Sequence, residues 1–500
     1  MSEEKKELAR EITKKYEARV EKRKKCEEQW KQNINFLEGE HYQGLQRSFS
    51  WEERGVYNHI APIVETRLSK FGKIRPKLSA RPNSFLARDI KKVECVRSIL
   101  NSVQYKRNLN KTVSEATKYS ETMGTVFYKV LWNSEGGDVV GQDENGEKIY
   151  SGDVDILVVS PFELYPENFE ANTIEEQKSI IHARSVSHQD VKHMWGVEVK
   201  EDSESSITVL EYYEAPTTEH INGRLVIVAG EEVLYDGELP YINQEDEKRG
   251  FPFVRQVCLE SLTGFYGTTI IERCIPVQKA YNAVKNRKHE FLNRISFGVL
   301  LVEDGSVDIE NLEDEGLTPG KVLVYRQGSI KPEMLTPENV PSGFETEEAA
   351  LLTEFMFISG VSDLMRSSKI LSASSTSGVV VKLLAEQDES RLLATVEQIK
   401  FSMLGVAKHV IRLYKQFQET QKRLVMYEGG DTAKPKEFFF TNKDIVDIDV
   451  CFEIEAEATQ SKAEKKALLF DLIKLGIFND EGGNLSQDIK EKILNMFEIF

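Results

Sequence analysis

The sequence predicts an α+β protein built in segments, and three observations carry that reading. Across the first 123 residues, apolar positions recur every three or four residues, the period of a helix. At Gly124 the period changes to two, and β-branched and aromatic stretches alternate with Gly- and Asp-rich turns as far as Ala229. Beyond Leu262 the order is helix, short β insert, helix, Ser-rich loop and one helix of about forty residues.

Residues 3–38 read as one helix, with Leu8, Ile12, Tyr16, Val20, Trp30, Ile34 and Leu37 near helical spacing. Dense mixed charge on its other faces suits a solvated or subunit-bridging helix, and Gly39 supplies a stop. Tyr42 to Gly55 is loop-like. Asn58-His-Ile-Ala-Pro62 opens a second helix that runs to about Gly72. Pro76 and Pro82 bracket an extended stretch, and helices follow over 84–105 and 110–123. Strands are predicted over 126–132, 154–159, 180–184, 207–213 and 223–229. A hairpin occupies 133–153, Ser160-Pro-Phe162 and Tyr165-Pro166 end the second strand, and a short helix spans 188–195. Helices first and a mainly antiparallel sheet afterwards make this half α+β.

Residues 268–296 are predicted helical, with Pro276 in the first turn of the main segment, where proline is tolerated. Val277, Ala280, Tyr281, Val284, Phe291, Leu292 and Ile295 form an apolar arc; Lys279, Arg287 and Arg294 fall opposite. Residues 298–337 read as a small β module with strands at 299–302, 308–312 and 322–325. About forty residues cannot bury a core of their own, so the module needs neighbours. A helix over 342–358 ends at Gly360. The helix over 379–420 would be a rod of about 60 Å. Its stripe is Val396, Ile399, Met403, Ala407, Val410, Tyr414 and Phe417, with Lys408, Arg412 and Lys415 opposite. Gly405 inside it costs about 1 kcal/mol relative to Ala and marks a candidate kink. Strands at 423–427, 437–440 and 445–456 precede helices at 461–475 and 486–497.

Bulk properties exclude several classes. Five hundred residues call for two to four domains, and 40% hydrophobic with 29% charged residues is a globular composition. No apolar run approaches a membrane span, and Met1-Ser-Glu-Glu-Lys-Lys lacks the apolar region of a secretory signal. Cys26, Cys95, Cys258, Cys274 and Cys451 are dispersed without CxxC spacing, which suits buried thiols in a reducing compartment. The net charge of −17 argues against a conventional DNA binder. It is compatible with an acidic wall past which DNA slides without sticking.

No catalytic motif is present. Gly72-Lys73-Ile74 and Gly320-Lys321-Val322 lack the upstream glycine and the Ser/Thr of a Walker A loop, and His289-Glu290 has no second histidine after it. Asp447 with Asp449, and Asp153 with Asp155, share strand faces and could hold a metal or be plain surface acids. We assign no catalytic residue, metal or cofactor. Lys279, Arg287 and Arg294 could line a DNA path or form a solvated helix face. The loop 361–378 joins two helical segments and holds Arg366, Ser367, Ser368 and Lys369 among many hydroxyls.

Five stretches, in this order, resemble the portal (head-to-tail connector) proteins of tailed bacteriophages. They are Asn35-Phe-Leu-Glu-Gly39 closing a basic helix, Asn58-His-Ile-Ala-Pro62 through Arg81-Pro82, and Gly124-Thr-Val-Phe-Tyr-Lys-Val-Leu-Trp132. Pro276-Val-Gln278 with Asn282 follows, then Gly360-Val-Ser-Asp363 with Ser377-Gly378 and Glu386-Gln-Asp388. The N-terminal part is closer to portals of short-tailed phages, although Gly39-Glu-His-Tyr42 replaces their G-x-Q-W. The resemblance implies a homo-oligomeric ring of twelve subunits with a wing (1–262), stem helices (263–297 and 338–360) and a β clip (298–337). It further implies a tunnel loop (361–378), a long helix from wing to crown (379–421), strands returning to the wing (422–458) and crown helices (459–500). Implied partners are double-stranded DNA in the channel, the terminase large subunit, head-completion or tail adaptors, and capsid and scaffolding proteins, with no membrane. The implied place is the portal vertex of the virion, after assembly in the host cytoplasm. Arg366 and Lys369, with Ser367 and Ser368 as neutral donors, are then the expected DNA contacts. Lys279, Arg287 and Arg294 are secondary ones in the stem. Two alternatives are another phage structural protein (adaptor or scaffold) and a packaging-associated nuclease or ATPase.

Overall fold

The computed structural model describes residues 3–46, 52–72, 76–80, 87–142, 146–197, 206–242, 248–262, 264–297, 299–307, 322–335, 341–361, 378–419, 421–427, 435–445 and 450–454. The chain is α+β, and its strand pairs are antiparallel.

Helix α1 (Glu3–Glu38) is followed by α2 (Ile60–Phe71), strand β1 (Pro76–Ala80), α3 (Ala87–Lys106) and α4 (Leu109–Met123). Then come β2 (Thr125–Asn133), β3 (Val139–Gln142), β4 (Lys148–Tyr150), β5 (Asp153–Val159), β6 (Leu164–Pro166), β7 (Ser179–Ser187) and α5 (His188–Trp195). β8 (Ser206–Glu214), β9 (Arg224–Ala229), β10 (Glu232–Gly237) and β11 (Phe253–Val257) complete the N-terminal half. One sheet has the order β10-β9-β8-β7-β6 and a second β11-β2-β5; β3 and β4 form a separate hairpin. Helix α6 (Ile270–Phe297) leads to β12 (Val299–Leu301), paired with β13 (Glu333–Leu335). Helix α7 (Gly343–Ser359), the long helix α8 (Gly378–Phe417), the hairpin β14 (Lys422–Tyr427) and β15 (Pro435–Phe440), and β16 (Val450–Ile454) follow. β16 pairs with β1, with Pro76 opposite Ile454, so the two halves of the chain share a sheet.

Several expectations need correction. Tyr165-Pro166 does not simply end a strand: Leu164–Pro166 is itself the edge strand β6. β10, β11 and β13 were not predicted. Val322 to Tyr325 is not a strand: among the described residues none pairs with it, and Val322 is 83% exposed and Val324 78%. The terminal helices, residues 308–312, and Asp447 with Asp449 lie outside the described residues.

The largest core sits where α8 crosses α3 and β2; Val396, Ile399, Met403, Ala407, Val410 and Tyr414 of the predicted stripe are buried in it, and Phe417 is half-buried against it. Gly405 serves close approach: a Cβ there would lie 2.9 Å from Val254 Cγ1 of β11. Asp153 is a structural acid rather than a metal ligand. It takes Lys422 Nζ at 3.1 Å, the Tyr414 hydroxyl and Arg107, while Arg107 also meets Asp155 at 2.9 Å. Burial opposes ionisation of Asp153, yet Lys422 and Tyr414 hold its carboxyl below the usual range.

α1 is only partly solvated. Arg23 is buried and donates to the carbonyls of Pro161 (2.8 Å), Leu164 (2.9 Å) and Phe162 (2.9 Å), with its guanidinium 3.5 Å from the Tyr165 ring centre. Arg19 reaches Tyr165 O and Ser179 Oγ. Buried charge persists because these guanidinium groups find acceptors. The same rule places Arg67 of α2 against Glu121 of α4 at 2.7 and 3.1 Å, both side chains about fully buried, with Arg67 Nη2 also 3.3 Å from Thr395 Oγ1 of α8. Cys258 Sγ donates to Glu121 at 3.1 Å, and burial pushes this thiol well above its ordinary pKa. Cys95, Cys258 and Cys274 are buried and free, as expected of dispersed thiols. Among the described residues no helix is long and apolar enough to cross a membrane.

Gly124 and Gly267 meet backbone to backbone. Gly124 has φ +83°, and a Cβ on it would lie 2.1 Å from Gly267 O; a Cβ on Gly267 would lie 2.6 Å from Gly124 O. Gly124→Ala is expected to cost about 2–4 kcal/mol, the sum of left-handed backbone strain and overlap with atoms that cannot rotate away. Gly44→Ala, at φ +75° with nothing within 4 Å, should cost only the backbone part, about 1–2 kcal/mol. Equal denaturation midpoints for the two variants would show that the overlap is not felt.

Candidate functional site

The junction between α1, the 52–59 segment, α6 and α7 holds the stem-type residues singled out in the sequence. α6 begins at Ile270 because Thr269 Oγ1 accepts the Glu272 N–H at 3.1 Å, an N-cap bond. Thr269-Ile-Ile-Glu272 carries the spacing of a capping box, the signal that could have placed this start. Pro276 therefore lies inside the helix, not in its first turn, and it cannot donate to the carbonyl four residues earlier.

The buried stripe of α6 also departs from the predicted apolar arc. Val277 and Tyr281 are buried, but Ala280 and Leu292 are exposed; Gln278, Asn282 and Asn286 are buried instead. Spaced by four, these amides lie on one face. They serve the backbone of a loop, which presents polar groups that an apolar stripe would leave unpaired. Gln278 Oε1 accepts His59 N at 2.9 Å, and Gln278 Nε2 donates to Tyr57 O at 2.8 Å and Asn282 Oδ1 at 3.0 Å. Asn282 Oδ1 also accepts Tyr57 N at 3.2 Å, while its Nδ2 lies 2.7 Å from His41 Nδ1. Asn286 accepts Gly55 N at 2.9 Å and donates to Gly55 O and the Tyr42 hydroxyl. His41 and Tyr42, at the place where the G-x-Q-W pattern fails, are thus the α1-side ends of this ladder.

The other flank of α6 rests on α7 through charge. Lys285 pairs with Glu348, Lys288 lies 3.6 Å from both Glu345 and Glu348, and the Tyr281 hydroxyl donates to Glu348 at 3.3 Å. Burial opposes ionisation of Glu348, but Lys285 and Lys288 outweigh it and hold the carboxyl below its usual range. Between them Ile60, Ile63, Ile271, Ile275, Leu351 and Phe355 form an apolar core.

The predicted contact residues divide as follows. Lys279 is exposed on α6 with Nζ 5.5 Å from the Phe36 ring centre, and Arg287 is exposed on the same helix. Arg294 belongs to α6, but its side chain is outside the described ones. Arg366, Ser367, Ser368 and Lys369 lie outside the described residues. Among the described residues no group of three or more His, Cys, Asp or Glu side chains could hold a metal. Sequence reasoning missed Gln278, Asn282 and Asn286 as a connected set; their spacing of four was the available signal.

A family model described as "Phage P22-like portal protein" matches residues 211–466, just over half of the chain. No curated protein matches it.

Gln278→Leu removes the partners of His59 N and Tyr57 O inside the junction. A loss of about 1–3 kcal/mol is expected, read from the denaturant midpoint. Unchanged stability would mean that the ladder contributes nothing net.

Proposed function

This chain belongs to the phage P22-like portal protein family, and from that premise we propose that it forms a closed ring of twelve subunits at one capsid vertex. Residues 1–262 form the wing, 263–297 and 338–360 the stem, 298–337 the clip, 361–378 the tunnel loop, 379–421 the helix from wing to crown, 422–458 strands back in the wing and 459–500 the crown. Double-stranded DNA passes inward during packaging and outward during ejection. The clip docks the terminase large subunit and later the head-completion or tail adaptors, and capsid and scaffolding proteins hold the wing. The ring assembles in the host cytoplasm and remains in the virion.

The observation that carries this reading is the clip. Among its described residues the paired part is the short β12–β13 ladder, and Leu301, Val322, Val324 and Ile330 are each at least half exposed. Apolar surface of this kind marks an interface, and a module too small for its own core is completed by its neighbours in a ring. Twelve copies of a −17 chain would carry roughly 200 negative charges, a surface that DNA slides past. Local phosphate contact then falls to Arg366 and Lys369, with Ser367 and Ser368 as neutral donors, and secondarily to Lys279, Arg287 and Arg294 of the stem.

Negative-stain images of the purified protein should show rings with a central hole, and Val322→Glu with Val324→Glu should leave folded protein that no longer forms them. Rings formed by that variant as readily as by the wild type would remove the clip from the assembly interface. Arg366→Ala with Lys369→Ala should impair packaging or retention of DNA while sparing the ring. Full-length packaging by that double variant would sink the contact assignment.

A further inference from the structure

His41, His59 and His289, three of the eight histidines, surround the 52–59 segment where it lies on α6. Backbone groups alone determine the protonation of the first. Tyr57 O can only accept and His59 N can only donate, so the Gln278 atom at the former is its nitrogen and at the latter its oxygen. The Asn282 atom that faces both Gln278 Nε2 and Tyr57 N must then be oxygen. Its nitrogen consequently points at His41 Nδ1, 2.7 Å away, and that ring nitrogen must be bare. His41 Nε2, 3.0 Å from Phe36 O, must carry the hydrogen. The ladder is complete only with a neutral imidazole in the Nε2–H form.

We propose that His41 and the Gln278–Asn282–Asn286 ladder form a proton-released clamp, which holds residues 55–59 on α6 while the imidazole is neutral and lets them go when it gains a proton. A proton on Nδ1 sets N–H against the N–H of Asn282. Asn282 cannot turn over to relieve this, because its oxygen already takes two donors. The imidazole is itself stacked on Phe36, ring centres 4.5 Å apart, and is buried.

Among the described residues no charge offsets the proton. On α6 Lys279 lies over the Phe36 ring, and Lys285 lies over Tyr57. On the loop side Arg54 lies over Tyr42 and is paired with Glu52, and Glu53 meets Glu290 through its backbone N–H. Among the described residues no carboxylate pairs with His41. Burial pushes its pKa below the ordinary 6.5, and the bond to Phe36 O offsets part of that. The folded form thus binds its proton less readily than the open form does. The clamp is fully closed above about pH 6.5 and weakens as pH falls below it.

Hydrogen–deuterium exchange of the full-length chain, corrected for intrinsic exchange, tests this on the amides of Gly55, Tyr57 and His59. Protection should fall from about pH 7.5 to about pH 5.5, by at most about tenfold, the weight an open state gains one unit below its pKa. His41→Gln should abolish that dependence. Asn282→Asp keeps both acceptor roles and offers a carboxylate to the imidazolium, so protection should persist at the lower pH. Equal wild-type protection at both pH values overturns the proposal. So does the same fall in His41→Gln, which would transfer it to His59 or His289, or a fall in Asn282→Asp.

Discussion

Arg67 and Glu121 meet at a point where four parts of the chain converge. Taking each ion out of water costs several kcal/mol, so the pair is tolerable only while both hydrogen bonds and the flanking donors remain in place. Arg67 belongs to α2, Glu121 to α4, Thr395 to α8, and Cys258 to the strand end leading into α6. A shift of α2 or α4 would leave buried charge unpaired. This constraint sets the register of α2, which begins at Ile60 directly after Asn58 and His59, the loop end that Gln278 grips. The junction with α6 therefore inherits its position from an ion pair one helix away.

Arg19 and Arg23 apply the same physics to α1. Their guanidinium groups satisfy carbonyls at the turns around β6, where the chain leaves one sheet for the other and backbone acceptors would otherwise be buried bare. A helix that looks solvated by its charge count is in fact fastened by two of those charges. Trp30 fastens it again, edge-on to both Phe162 and Tyr266.

The two ends of α6 have opposite requirements. Its first turns pack in an apolar core, whereas Leu301 and Met334 of the strands beyond it are about half exposed. Between these ends the helix is held by amides on one flank and ion pairs on the other, contacts that are directional and respond to protonation or salt more than apolar packing does.

Helices were legible along most of the described chain because their apolar periodicity reports a local fact, the side turned from water. Gly72, Gly124 and Gly360 ended helices where the sequence placed them, and the stripe of α8 was buried as its spacing required. The order of motifs by itself determined the family. Tertiary structure alone decided the rest: that β16 returns to β1, that β10 and β11 are strands, that Val322 to Tyr325 is not, and that the buried face of α6 is polar. Each of these depends on what lies opposite. A strand requires a partner for its backbone, and an amide is buried in preference to a leucine only where the facing surface is itself backbone. Periodicity along one segment carries no record of its neighbour.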